Sequence, residues 1–291
     1  MSNRGVRALV FGAVLLAGPA FAQVEIVADS YPVAWMAGEL AGDAAQVRLV
    51  VPEGRDPSSW RPTLAEIGQI QGADLIVLNG AGLADWTGRA ALPRARTVET
   101  TRGLEDAFIA TETITHSHGG EGSHSHEGMA SHTWLDMDLA ARQAEALARA
   151  MARVLPDVDV TARLEALLAE LDALDARGEA LVDGAPVAAI ASHPRYEYLG
   201  AAYGLEIASL DWEAGAVPEG GLAALEALVA ETGAVVMIWE AEPPTEARAA
   251  VAELGLAQAV VPPLSMPPAE GDFVDAMGAS LDALAAALAL R

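Results

Sequence analysis

The sequence predicts an α/β fold of two lobes, each built on a parallel β-sheet, bridged by a long helix. Three observations lead there. Short apolar runs with strand character alternate with helical stretches over residues 24–80, the pattern of consecutive β-α units. The same alternation resumes at residue 186. Between the two lies a helical tract, residues 160–183, in which Leu164, Leu167, Leu168, Leu171 and Leu174 recur at spacings of three and four. A helix of about 23 residues spans roughly 35 Å at 1.5 Å per residue, enough to brace two lobes.

In chain order, VEIVA (24–28) and QVRLVV (46–51) read as strands around a helix at 33–41, the second ending at Pro52-Glu53-Gly54. Pro62 opens a helix over 62–71, since proline is tolerated in the first turn. DLIVLNG (74–80) is a third strand with a glycine stop. Residues 111–132 break the pattern: they are polar, glycine-rich and low in complexity, and hold His116, His118, His124, His126 and His132, five of the six histidines. Such a segment lacks the apolar area to order itself and reads as a mobile loop. A helix over 138–154 stops near Pro156. In the second half, strands are expected at 186–191, 206–210, 234–240 and 258–261, and helices at 194–203, 219–231, 244–254 and 273–290. The expected units are an N-terminal lobe at 23–157, a linking helix at 158–183 and a C-terminal lobe at 184–291.

Residues 1–22 carry the marks of an export signal. Arg4 and Arg7 precede an uncharged apolar run at 8–18, and Ala20 and Ala22 fit a signal-peptidase site with cleavage after Ala22. The run is short of the ~20 residues a membrane span needs. With no cysteine to carry a lipid, the mature protein is expected to be a soluble periplasmic monomer. The absence of cysteine also excludes disulfides, thiolate metal sites and cysteine nucleophiles. The formal net charge is −24, becoming −26 once Arg4 and Arg7 leave with the signal; such a surface repels nucleic acid and anionic lipid. All 17 basic residues are arginine, which reads as a compositional bias and not as a function.

Two short stretches carry candidate chemistry. Ser131-His132-Thr133-Trp134-Leu135-Asp136 enters a helix, and Ala191-Ser192-His193-Pro194-Arg195-Tyr196 follows a strand. Ligands of open α/β sheets bind at the carboxyl ends of strands, so each lobe offers one histidine to a shared cleft. Neutral imidazole is the usual nitrogen ligand of zinc. Either histidine alone also fits a cap or a core. Asp136 and Glu197 lie close enough in sequence to orient a ligating ring, Asp136 as cap or as acceptor of the second ring N–H of His132. Trp60 and Trp134 flank the expected cleft and wall it from water, or are simply buried.

VVPEGRDPSSWRPT (50–63), ADLIVLNGAGLADW (73–86), SHTWLDMDLA (131–140), ASHPRYEYLGAAYGL (191–205) and VVMIWEAEP (235–243) occur in an order and spacing that resembles the metal-binding solute-binding proteins of ABC transporters, the ZnuA and TroA kind. The resemblance covers nearly the whole mature chain. It implies two α/β lobes bridged by a long helix, zinc or manganese bound between them, and delivery to a permease in the inner membrane. His132 matches the histidine of the family's His-x-Trp-Leu-Asp motif, and His193 that of its Ser-His-x-x-x-x-Tyr motif. The other two family ligands are replaced: Ser58 follows Asp56-Pro57 where a histidine is usual, and Pro262 stands where an aspartate is usual.

Three accounts of the missing ligands compete. The loop could supply imidazoles from His116, His118, His124 or His126. Nearby acids, Glu240, Glu242, Glu270 or Asp272, could complete the shell; Glu240 matches a glutamate the family often has close to the site. Or the cleft has changed cargo, with Met129, Met137 or Met266 suiting copper, although methionines are most often core packing. The loop histidines also fit a weak collector, the role that such loops resemble in this family. The leading function is a periplasmic zinc-binding protein for import, with manganese as the alternative metal. A metal buffer or metallochaperone without a permease, or a paralogue holding another small ligand, are the alternatives. No His-Glu-x-x-His or Gly-x-Ser-x-Gly motif points to hydrolysis.

Overall fold

The structure is a computed structural model that describes residues 23–111, 115–118, 122–125, 128–212 and 217–290. The expected export signal, residues 1–22, and His126 lie outside the described residues.

Two four-stranded parallel sheets form the lobes. In the first, β1 (Val24–Ala28), β2 (Ala45–Leu49), β3 (Leu75–Leu78) and β4 (Thr97–Glu99) are arranged in the order β2-β1-β3-β4. Hydrogen-bonded register runs from Val24 opposite Ala45 to Ala28 opposite Leu49. A hairpin of β5 (Thr115–His118) and β6 (Gly122–Ser125) follows. The second sheet contains β7 (Val187–Ala191), β8 (Leu205–Ser209), β9 (Val236–Trp239) and β10 (Ala257–Val260), in the order β8-β7-β9-β10. The two orders are the same when counted from each sheet's first strand. The four residues of β3, LIVL, and of β9, VMIW, are all buried, as expected of parallel strands covered on both faces.

Helices α1 (Tyr31–Ala41) and α2 (Leu64–Gly72) belong to the first lobe. Thr63 and Glu66 close a capping box on α2, which satisfies backbone N–H groups that have no intrahelical partner. Next come α3 (Met137–Val154) and α4 (Val160–Glu179), then α5 (Glu197–Tyr203), α6 (Gly221–Thr232), α7 (Thr245–Glu253) and α8 (Phe273–Leu288). The long linking helix is α4, 20 residues rather than about 23. It buries Leu167, Leu171 and Leu174, and packs against α3 and α1 on the first lobe and α5 and α8 on the second. Arg177 fastens it to α8 by donating to the Gly278 carbonyl and Asp282, each at 2.7 Å.

Two elements depart from the sequence reading. Strand β4 was not anticipated: it is three residues at the sheet edge, too short for a period to show. The low-complexity segment, expected as loop throughout, contains the β5–β6 hairpin, with His116 opposite His124. Its alternation of Ser and His is compatible with either state.

Candidate metal centre

The first strand of each sheet lies between the second and the third. That reversal of strand order opens a crevice at the carboxyl ends, where ligands of open α/β sheets bind. In the second lobe the crevice receives the segment after β7, with Ser192, His193 and Arg195, and Glu240 directly after β9. In the first lobe Asp56 follows β2, and Ser131-His132 precedes α3. A cleft of about 560 Å³ is lined by Asp56, Arg195, Glu240, Pro262, Ser265 and Met266, among others.

The guanidinium of Arg195 occupies the centre of this arrangement, with only 12% of its side chain exposed. Its Nη2 donates to Asp56 Oδ2 at 2.5 Å. Its Nη1 lies 3.1 Å from His132 Nε2. Its Nε meets Glu240 Oε2 at 3.0 Å, an ionic contact not aligned as a hydrogen bond. One cation thus joins Asp56 and His132 of the first lobe to Glu240 of the second. Burial alone would raise the Asp56 carboxyl, but the Arg195 charge and two hydrogen bonds from Ser58 hold it well below the usual carboxylate range. Burial works against the Arg195 charge too, yet Asp56 and Glu240 push its pKa above the ordinary arginine value.

An arginine N–H can only donate. The lone pair of His132 therefore lies on Nε2, facing Arg195, and the ring proton of the neutral form on Nδ1, 3.4 Å from Ser131 Oγ. Ser265 Oγ also approaches Nε2, at 3.3 Å. It is brought there by Leu264, which takes a left-handed conformation with φ 55°. A buried polar network holds the His132 segment in place. Asn79 donates to the Ser131 carbonyl and accepts from Thr133 and Gln143, and Gln143 donates on to Thr100. Asp29 anchors it by accepting from the Asn79 backbone N–H at 2.9 Å. Trp134, fully buried, donates to the Pro263 carbonyl at 2.7 Å.

The residues singled out from sequence are placed as follows. His132 and Glu240 come together around Arg195. His193 sits two residues before Arg195, and its Nδ1 is 3.2 Å from the Trp212 carbonyl and 3.6 Å from Asp211. A carbonyl only accepts, so that contact puts the proton on Nδ1 and the lone pair of the neutral ring on Nε2. Ser58 donates to Asp56 Oδ1 through its backbone N–H and its hydroxyl, at 2.8 and 2.6 Å; the position that lost an imidazole now orients a carboxylate. Pro262 lines the cleft without a donor group. Asp136 caps α3, accepting from Leu139 N at 3.0 Å, the first of the two roles expected for it. His116, His118 and His124 lie in the hairpin backbone; their side chains, like His126 as a whole, are outside the described residues.

The other acids and methionines considered are used elsewhere. Glu242, at the cleft rim, pairs with Arg248 at 2.7 Å. Asp272 caps α8 in a box with Asp275, and Glu270 is exposed. Met137 is buried in the core and Met129 is exposed; Met266 borders the cleft but also packs on the core of the first lobe. Trp60, expected near the cleft, is buried beside Trp86. Asp56 and Arg195 are the residues that sequence reasoning missed. Both stand inside motifs singled out above, Asp56 two residues before Ser58 and Arg195 two after His193, with no role assigned to their side chains there. Among the described residues, no three His, Asp or Glu side chains stand close enough to hold a metal ion as they are.

Comparison with known proteins agrees with this architecture. The family model described as "ZnuA: Zinc-uptake complex component A periplasmic" matches residues 26–287. The zinc-binding lipoprotein AdcA of Streptococcus pneumoniae is 28% identical over 193 residues, 63% of this chain and 38% of that protein. The manganese-binding lipoprotein MntA of Halalkalibacterium halodurans is 27% identical over 186 residues, 62% of this chain and 58% of MntA. The matches thus span less than two thirds of either relative. Among solved structures, Zn(II)-bound AdcA from Streptococcus pneumoniae superposes with a TM-score of 0.74 at 22% identity, covering 92% of this chain and 58% of that one. The periplasmic zinc-binding protein TroA from Treponema pallidum gives 0.70 at 18%, covering 92% and 99%. These structural likenesses carry the two-lobed fold, and the family match spans both sheets and the cleft between them: the chain belongs to the ZnuA family.

Proposed function

We propose that this protein is an exported metal-binding protein that carries a divalent transition metal, zinc first and manganese second, to an ABC importer in the inner membrane. The observation that carries the reading is the cleft. Asp56, Glu240 and the Nε2 lone pair of His132 converge on one positive charge between the lobes. Donors of that kind, two carboxylates and an imidazole, suit zinc and manganese better than copper, which favours thioether or more nitrogen. Family membership and the metals named for AdcA and MntA support the cargo class. The protein works as a binding component and not as an enzyme, in the periplasm after cleavage behind Ala22, as a monomer that docks on its permease. No described helix is long and apolar enough to cross a membrane. His193, with its lone pair on Nε2, is the proposed fourth donor. The expected units, a first lobe at 23–157, linking helix at 158–183 and second lobe at 184–291, are proposed to act as one holder. The histidines of the hairpin segment act as a collector that raises the local metal concentration.

Zinc titration by calorimetry, with a competing chelator, tests this. The wild-type chain is expected to bind one zinc tightly, and His132→Ala with His193→Ala to abolish that site. Deletion of residues 115–127 is expected to leave the tight site and remove only weak additional ones. Unchanged tight binding in the double variant contradicts the site. A tenfold loss on deletion, about 1.4 kcal/mol, makes the segment a ligand source instead of a collector.

A further inference from the structure

We propose that Arg195 is a tethered cation that occupies the metal position of the cleft, competes with the cargo, and hands over Asp56, Glu240 and His132 as its ligands when displaced. The inference rests on the proposed metal-binding function and adds to it a built-in competitor.

The argument begins with charge. Two carboxylates and one guanidinium sum to −1, so the cleft keeps a net attraction for cations while Arg195 is in place. A divalent ion brings twice the charge, and its metal–oxygen distance of about 2.0–2.2 Å is shorter than the N–O contacts of the guanidinium, 2.5 and 3.0 Å here. Coulomb attraction rises with charge and falls with distance, so the ion has the stronger hold on the same two carboxylates.

Geometry agrees. A guanidinium presents donors around a flat, wide perimeter. Asp56, His132 and Glu240 are arrayed on three different nitrogens of it, which accounts for their not forming a metal cage as they stand. Once the guanidinium leaves, the three donors face a common centre. The exit is adjacent, since Arg195 itself lines the cleft of about 560 Å³. The ligand count follows. The histidine and aspartate replaced by Ser58 and Pro262 are compensated by Asp56, which Ser58 orients through two hydrogen bonds, and by Glu240, whose backbone N–H donates to Ser192 Oγ at 3.3 Å.

A competitor inside the site lowers apparent affinity by the fraction of molecules in the arginine-out state. Removing it restores the intrinsic value. The test titrates zinc into the wild-type chain, Arg195→Met and Arg195→Gln. Both variants are expected to bind one zinc at least tenfold more tightly than wild type, and Asp56→Asn added to either is expected to reverse the gain. Equal or weaker binding in the variants, with the wild type binding zinc, overturns the competitor while leaving the metal-binding function intact. Absence of zinc binding in all three chains overturns the function itself. Arg195→Met leaves the Asp56 and Glu240 carboxylates without the cation between them and is the variant at risk of misfolding; Arg195→Gln keeps an amide donor. The wild-type chain supplies an independent readout. In ¹⁵N-labelled protein the Arg195 Nε–H signal is expected to exchange slowly with water without zinc and quickly at saturating zinc. Slow exchange in both states overturns the displacement.

Discussion

Asp29 shows at the scale of one residue how the site is underpinned. It is fully buried at the end of β1, and burial raises its carboxyl to about 7, against hydrogen bonds from Asn79 and Ser30 that lower it. A carboxyl protonated more readily in the folded than in the unfolded chain stabilises fully below the unfolded value. That contribution is lost as pH rises toward the folded value. The rise from 3.8 to about 7 corresponds to an upper bound of roughly 4 kcal/mol. Asp29→Asn mimics the protonated acid. It is expected to gain on wild type by about 2–3 kcal/mol between pH 5 and pH 8 in denaturant unfolding. A stability difference that does not change with pH contradicts the burial account. The same scale marks the limit of the sequence. His132, His193 and Glu240 were legible as candidates because each sits in a recognisable motif at a strand or helix end. Arg195 and Asp56 were not, since pairing between residues 139 apart in sequence has no local pattern.

At the scale of elements, α4 holds the lobes through small residues as much as large ones. A Cβ on Gly178 would run into the Tyr203 ring of α5. That tyrosine donates to Asp175 of α4 at 3.0 Å and accepts from the Met137 backbone N–H of α3 at 3.1 Å, so one hydroxyl ties three helices. Gly178→Ala gains helix propensity of up to ~1 kcal/mol but must displace the ring. The net expectation is a loss of about 1–3 kcal/mol, read as a lower unfolding midpoint; an unchanged or raised midpoint contradicts the tight α4–α5 packing. The elements themselves were mostly legible: apolar runs gave β1, β3, β7 and β9, and the leucine spacing gave α4. Strand β4 and the β5–β6 hairpin were not, because three edge residues and a Ser-His alternation carry no hydrophobic period. The end of α4 at Glu179 rather than near 183 is a boundary effect of the kind helix ends commonly show.

For the whole molecule, the central claim is that two lobes of like topology present Asp56, His132 and Glu240 to one cation, and that this place is held by Arg195 until a metal arrives. The strongly acidic chain, −24 overall, favours capture of cations from solution, and α4 keeps the lobes in register, so exchange is expected to proceed by side-chain movement more than by lobe closure. The direct measurement is anomalous diffraction at the zinc absorption edge from crystals of the zinc-loaded wild-type chain. The account predicts a single strong peak between the lobes, about 2.0–2.2 Å from Nε2 of His132 and of His193 and from carboxylate oxygens of Asp56 and Glu240, with the Arg195 side chain turned out into the cleft. A peak elsewhere on the molecule, with the Arg195 contacts to Asp56 and Glu240 intact, would contradict it.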